Sequence, residues 1–166
     1  FAHVIQVAHT LHRILDDLGL PSFPKTSGAS GLHILVPLAA RYTYEQSRTF
    51  ARLLAMMAVE EQSKIATVAR HIDAREGKVY VDFGQNGHGQ SIVSPFCVRP
   101  LPGAPVSCPL TWKEVNAKLD PGKYTIKTAV KRMEKLKQDP LAAVLTEQPD
   151  LHGALARLQE KLEKTA

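Results

Sequence analysis

The segment Ser-Gly-Ala-Ser-Gly-Leu-His at residues 27–33 places a hydroxyl and an imidazole on either side of a glycine-containing loop. Glycines let the backbone approach a ligand closely, and the N–H groups of such a loop can surround an anion. The spacing therefore predicts a phosphate-binding loop with Ser27 and His33 as its side chains. A turn without function and a hydrogen-bonded core histidine are the alternative interpretation.

A carboxylate follows at Asp82, where an alternating apolar run at residues 78–83 ends in the loop Gln-Asn-Gly-His-Gly. A carboxylate at the end of a strand can bind Mg²⁺ or Mn²⁺, although such cations need several oxygen ligands. Asp82 is therefore a candidate metal ligand. A turn-capping aspartate is the alternative interpretation.

Four lysines recur at intervals of four residues, at Lys123, Lys127, Lys131 and Lys135. On a helix this spacing predicts one basic stripe, which can follow a nucleic-acid backbone by neutralising its phosphates. The formal net charge of +5 and the isoelectric point near 9.3 also favour an anionic partner. A solvated helix face would have the same pattern.

These groups must be positioned by helices and strands that the apolar periodicity predicts. We expect helices over residues 3–18, 44–62, 111–119 and through the four lysines, and a packing helix from residue 151 that carries Leu155, Leu158 and Leu162. We expect strands over residues 32–38 and 78–83, the second returning as a hairpin through residues 92–98.

The composition limits the class of protein. With 166 residues, 44% of them hydrophobic and 22% charged, the chain should fold as one globular domain. No stretch approaches the roughly 20 apolar residues that cross a bilayer, so we expect no membrane partner. Two cysteines are too few for a secreted disulfide scaffold, which favours a reduced, cytoplasmic setting.

The motifs in combination closely resemble the polymerase domain of bacterial ATP-dependent DNA ligase D, a member of the archaeo-eukaryotic primase superfamily. The resemblance lies in Thr-Ser-Gly-Ala-Ser-Gly-Leu-His at residues 26–33, Val-Tyr-Val-Asp-Phe-Gly-Gln-Asn at residues 79–86, and the proline-rich run at residues 98–112. It implies an α/β (α+β) primase-like fold with a central, mostly antiparallel sheet flanked by helices. Residues 1–166 would form the C-terminal portion of that domain.

The resemblance also implies roles for individual residues. The nucleotide and its phosphates would be held by Ser27, His33, Gln85 and Arg99. Asp82 would be catalytic and bind the divalent metal, Mn²⁺ or Mg²⁺. Arg75 would lie near the DNA and the active site, and the four lysines are the candidate contacts to the DNA backbone.

The implied activity is nucleotidyl transfer at DNA ends, by primer extension or gap filling in non-homologous end joining, with nucleoside triphosphates as substrates. A ligase domain and a Ku-type end-binding protein are the implied partners, in the bacterial cytoplasm at the nucleoid. The family's Asp-x-Asp pair, which supplies most of the metal ligands, does not occur in these 166 residues. We therefore expect weak metal binding and no polymerisation by this chain alone.

Two further functions remain as alternatives. One is a catalytically inactive nucleotide- or nucleic-acid-binding remnant, and the other is a structural domain that contacts a ligase or end-binding partner.

Overall fold

The computed structural model describes residues 1–165, with the side chains of residues 1–160. Its elements, in chain order, are α1 (Ala2–Asp17), β1 (Phe23–Thr26), β2 (Leu32–Leu35), α2 (Tyr44–Glu61), β3 (Ala66–Thr67), β4 (Val79–Tyr80), α3 (Ala129–Lys135) and α4 (Leu151–Thr165). Short 3₁₀ turns lie between several of these elements. The predicted first, second and last helices are confirmed to within about two residues.

Three helices share the larger hydrophobic core. Their buried side chains include Ile14 and Leu15 of α1 with Leu18 directly after it, Phe50, Leu54 and Ala58 of α2, and Leu151, Ala154 and Leu158 of α4. The predicted packing positions Leu155 and Leu158 both contact this core, whereas the side chain of Leu162 lies outside the described residues. The apolar faces of α1 and α2 therefore position the strands between them.

Two small sheets flank α1. β1 and β2 pair antiparallel, with Lys25 opposite His33 and Thr26 opposite Leu32. β3 and β4 pair parallel, with Ala66 opposite Val79. Mixed helix and strand content is thus confirmed, but the strands form two separate pairs in the part of the chain described.

The predicted hairpin after β4 is wrong. The partner of β4 is the two-residue strand Ala66–Thr67, which is too short to give a periodic signal in the sequence. Residues 92–98 contact another segment instead, through a bridge between Val98 and Val106.

The proline-rich segment lies along the outer edge of β1. Thr26 donates its backbone N–H to Cys108 O (2.9 Å), and Leu110 donates to Pro24 O (3.0 Å). The capping role predicted for Thr111 is confirmed by reciprocal hydrogen bonds with Glu114. The helix that it begins is shorter than predicted, a single 3₁₀ turn over Trp112–Glu114.

The predicted lysine helix is also wrong in part. α3 begins at Ala129, so only Lys131 and Lys135 share a helix, while Lys123 ends the 3₁₀ turn Pro121–Lys123. Thr128 Oγ1 donates to Lys123 O (2.5 Å), and a bridge joins Thr125 to Pro105. These contacts compete with helix formation, as threonine side chains do when they bind nearby backbone.

Among residues 1–165, no helix is both long and apolar enough to cross a membrane.

Candidate nucleotide-binding site

A groove of about 630 Å³ opens between β2 and the β4 segment, and apolar residues of α1 such as Val7 and Leu11 line it. The groove is also lined by five of the predicted site residues, Ser27, His33, Asp82, Gln85 and Arg99. These residues come from three separate segments of the chain, residues 27–33, residues 82–85 and Arg99. The fold therefore brings together the candidate nucleotide and metal contacts, which are up to 72 residues apart in sequence.

Ser27 organises the loop between β1 and β2. Its Oγ accepts the backbone N–H groups of Ala29 and Gly31, both at 3.1 Å, and its own N–H donates to Gly31 O at 2.9 Å. Two of the loop amides expected to surround an anion are thus bound to Ser27. Because both lone pairs of the hydroxyl are used, its O–H proton is the group available to an anion.

His33 lies on β2 opposite Lys25, and its Nδ1 is 2.8 Å from Lys25 Nζ. Burial, reinforced by the cationic Lys25 and Arg99, lowers the pKa of His33 to about 4, although the nearby Asp82 acts in the opposite direction. His33 is therefore a neutral imidazole at physiological pH. A neutral imidazole binds an anion through one N–H rather than through charge.

Asp82 is exposed at the end of the β4 segment, and its Oδ1 accepts the Gly84 N–H at 2.8 Å. Gln85 Nε2 lies 3.4 Å from the other carboxylate oxygen, and Tyr80 Oη is 3.3 Å from Oδ1. Asp82 thus caps its own turn, as the alternative interpretation expected, and also faces the groove. The turn-capping interpretation is thus confirmed, and metal binding by Asp82 stays a prediction.

A complete divalent-metal site does not fit the residues of this groove. Among residues 1–160, whose side chains the structure describes, no three histidine, cysteine, aspartate or glutamate side chains come together as a metal site. Mg²⁺ requires six oxygen ligands in octahedral arrangement, and Asp82 supplies one carboxylate. Asp82 therefore needs further oxygen ligands to bind such a cation.

Arg99 is partly buried beside the loop, and its Nη1 lies 3.5 Å from Ser27 O. Its aliphatic stem packs on Gly28, which has a φ of +72°, and a Cβ built on Gly28 would lie 2.7 Å from Arg99 Cγ. Only glycine tolerates this conformation and this contact together. Gly28 therefore sets the distance between the arginine and the loop.

The family model described as LigD, primase-polymerase domain, matches residues 1–141. The chain belongs to this family. It is 33% identical over 157 residues to the bifunctional non-homologous end joining protein LigD of Bacillus subtilis, with 87% of the chain and 26% of that protein covered. It is 31% identical over 126 residues to the multifunctional LigD of Pseudomonas aeruginosa, covering 76% of the chain and 15% of that protein.

A solved structure, the polymerase domain of Mycobacterium tuberculosis ligase D in complex with DNA, has the same fold. The two superpose with a TM-score of 0.81 at 27% identity, covering 89% of this chain and 51% of that one. The match confirms the primase-like fold. The chain spans about half of that domain and about a quarter of the Bacillus subtilis LigD.

The candidate DNA contacts of this LigD-family chain do not line the groove, although Arg75 packs against Tyr80, which does. Arg75 donates through Nε to Ala69 O (3.1 Å) and through Nη2 to Arg70 O (2.7 Å), and its guanidinium lies 4.1 Å from the centre of the Tyr80 ring. Arg75 therefore holds the turn before β4 in place. The four lysines are exposed, and none lines the groove.

Sequence reasoning missed one residue of the site, Lys25. It is 1% exposed and lies opposite His33 on the neighbouring strand, with its Nζ 2.8 Å from His33 Nδ1. A lysine inside a short strand, just before the loop, was the only available signal. Two of its partners, Val93 and Ser107, are 68 and 82 residues away in sequence and gave no signal at all.

Proposed function

We propose that this chain binds the triphosphate of a nucleotide in the groove, through Ser27, His33, Gln85 and Arg99. The observation that carries this proposal is the convergence of these four residues, from separate segments, on one groove. A hydroxyl proton, an imidazole N–H, an amide and a guanidinium are all hydrogen-bond donors to phosphate oxygens. Family membership supports the same assignment.

The reaction we propose for the protein is nucleotidyl transfer at DNA ends, extending primers or filling gaps in non-homologous end joining. The names of the relatives support this role in DNA repair. In this proposal residues 1–166 are the C-terminal portion of the polymerase domain. Asp82 is one catalytic carboxylate that binds Mn²⁺ or Mg²⁺ with ligands from outside the described residues.

We further propose that the chain binds DNA, through Arg75 and the exposed Lys123, Lys127, Lys131 and Lys135. The solved relative is described as a complex with DNA, which supports this partner. A fused ligase domain, a Ku-type end-binding protein and a nucleoid location belong to the same proposal.

The alternative function is nucleotide or DNA binding without catalysis. It is favoured by one observation, the single carboxylate at Asp82 with no cluster of metal ligands among the described side chains, those of residues 1–160. Primer extension by this chain that Asp82→Ala abolishes would exclude this alternative.

The nucleotide proposal is tested by titrating the 166-residue protein with a nucleoside triphosphate in a calorimeter. Charge-assisted hydrogen bonds contribute about 1.5–3 kcal/mol, so Arg99→Ala should weaken binding roughly tenfold to a hundredfold. The matched control is Arg52→Ala, which removes an exposed arginine of α2 that does not line the groove. Equal affinity of wild type and Arg99→Ala, or no binding at millimolar ligand, contradicts the proposal.

We expect no primer extension by the 166-residue chain above a no-enzyme control, even with Mn²⁺. The physical reason is that one carboxylate cannot hold the ions that activate a primer hydroxyl and stabilise pyrophosphate. Extension that is abolished by Asp82→Ala would contradict this expectation and would exclude the inactive alternative.

A further inference from the structure

Lys25 is the most deeply buried charged side chain among the described residues, at 1% exposure in the middle of β1. Its neighbours are β2 on one edge and the segment around Pro109 on the other. Lysine is rarely buried to this extent unless its ammonium is paired. The contacts of this ammonium therefore indicate which neighbouring atoms accept its hydrogen bonds.

The amine has three polar neighbours. Lys25 Nζ lies 2.8 Å from His33 Nδ1, 2.8 Å from Val93 O and 2.6 Å from Ser107 Oγ. Val93 O can only accept. The Ser107 hydroxyl donates its proton to Thr26 O at 2.8 Å, so Ser107 Oγ must accept from the lysine.

Two of the three ammonium hydrogens are thus assigned, and the third points to His33. Burial lowers the pKa of the Lys25 amine to about 8, which leaves the ammonium as the main form at pH 7. An ammonium has no lone pair, so His33 Nδ1 must be the acceptor. The ring proton of the neutral imidazole then resides on Nε2.

We propose that Lys25 is a positioning residue that fixes His33 in the tautomer with its proton on Nε2. This inference rests on the proposed role of His33 in phosphate binding. With the proton on Nε2, that nitrogen can donate to a phosphate oxygen, whereas the other tautomer would present a lone pair to the anion. Lys25 does not line the groove, so it acts through His33 rather than on the ligand.

The tautomer can be read directly by nitrogen-15 NMR of the histidine rings in the labelled 166-residue protein at pH 7. The spectrum of His33→Gln identifies the His33 signals by their disappearance. We expect wild-type His33 to be protonated on Nε2 alone, and inorganic tripolyphosphate to shift that Nε2–H signal. Lys25→Met, which keeps the length and removes the donor, should mix the two tautomers and weaken tripolyphosphate binding about tenfold.

The matched control is Ser107→Ala, which removes another contact of the same ammonium but leaves its contact with His33. We expect this variant to keep the Nε2 tautomer. A proton on Nδ1 in the wild type, or a pure Nε2 tautomer in folded Lys25→Met, overturns the inference. If Lys25→Met does not fold, the wild-type spectrum still decides between the two tautomers.

The same measurements separate this inference from the proposed function. A pure Nε2 tautomer that responds to Lys25→Met, in a protein that binds neither tripolyphosphate nor nucleotide, supports the positioning role and overturns the nucleotide role. Tripolyphosphate binding by a protein with His33 protonated on Nδ1 supports the nucleotide role and overturns the positioning role.

Discussion

His33 combines two properties that depend on its neighbours rather than on its own chemistry. It is neutral because burial and the adjacent Lys25 and Arg99 disfavour a third cation. It has a defined donor because Lys25 occupies its Nδ1. At the scale of single residues, the groove therefore presents hydrogen-bond donors to an anion. It carries less positive charge than it would with a protonated His33.

The pKa of His33 makes stability depend on pH. An unfolded histidine has a pKa near 6.5, and the native pKa is about 4, so between these values the unfolded state binds more protons. Stability contributed by this residue is complete above pH 6.5 and is lost as pH falls toward 4. We expect the unfolding free energy of wild type, minus that of His33→Gln, to fall over this window by about 3 kcal/mol.

Denaturant unfolding at a series of pH values measures this difference. Subtracting the free energy of His33→Gln from that of the wild type removes the contribution of the other titrating groups, such as the carboxylates. A difference that stays constant between pH 4 and 6.5 would show that the histidine is protonated equally in the two states.

At the scale of elements, the hairpin of β1 and β2 depends on a tight loop at residues 27–31. Ser27 closes this loop by accepting two of its amides. Gly28 allows the loop to lie against both Arg99 and the backbone of Ser107, 3.0 Å from a Cβ at that position. The loop conformation and the position of Arg99 thus both require glycine at residue 28.

Gly28→Ala should therefore lower the free energy of unfolding by more than backbone strain alone would. Gly89 has the same φ of +72° but nothing within 4 Å of its Cβ position, which makes Gly89→Ala the matched control. A left-handed conformation costs a non-glycine residue about 1–2 kcal/mol, so the free energy of unfolding should fall by this amount in both variants. We expect Gly28→Ala to lose at least about 1 kcal/mol more, because overpacking adds its own cost.

Denaturant unfolding compares the two alanine variants, and triphosphate titration should detect a loss of affinity only for Gly28→Ala. Equal destabilisation would mean that Arg99 and the Ser107 backbone move aside without cost.

At the scale of the whole molecule, two groups of cations belong to the proposed functions. Arg99 lines the groove near the buried Lys25, and Lys123, Lys127, Lys131 and Lys135 lie on the exposed surface. Because Lys123 and Lys127 precede the helix, the four lysines follow turns as well as α3 and do not form one helical stripe. Their common exposure still permits contact with a phosphate backbone.

Replacing these four lysines with glutamine should reduce the salt dependence of binding to duplex DNA ends. The slope of log affinity against log salt should decrease by about 0.9 for each lost phosphate contact. The matched control replaces four other exposed cations, Arg41, Arg52, Lys64 and Lys118, and lowers the formal net charge by the same four units. Fluorescence anisotropy at several salt concentrations gives the slopes, and equal slopes for the two variants contradict a specific lysine contact.

The helices α1, α2 and α4 were predicted from apolar periodicity, and Ser27, His33 and Asp82 from motif spacing, because these are local properties of the sequence. Gln85 and Arg99 were implied only by the resemblance to the ligase D polymerase domain. The pairing of β4 with Ala66–Thr67 and the start of α3 at Ala129 were not predicted, since both depend on contacts with distant segments. The burial of Lys25 belongs to the same class. Its partners His33, Val93 and Ser107 meet only after β1 has paired on both edges, so the charge and tautomer state of the groove were decided by tertiary structure.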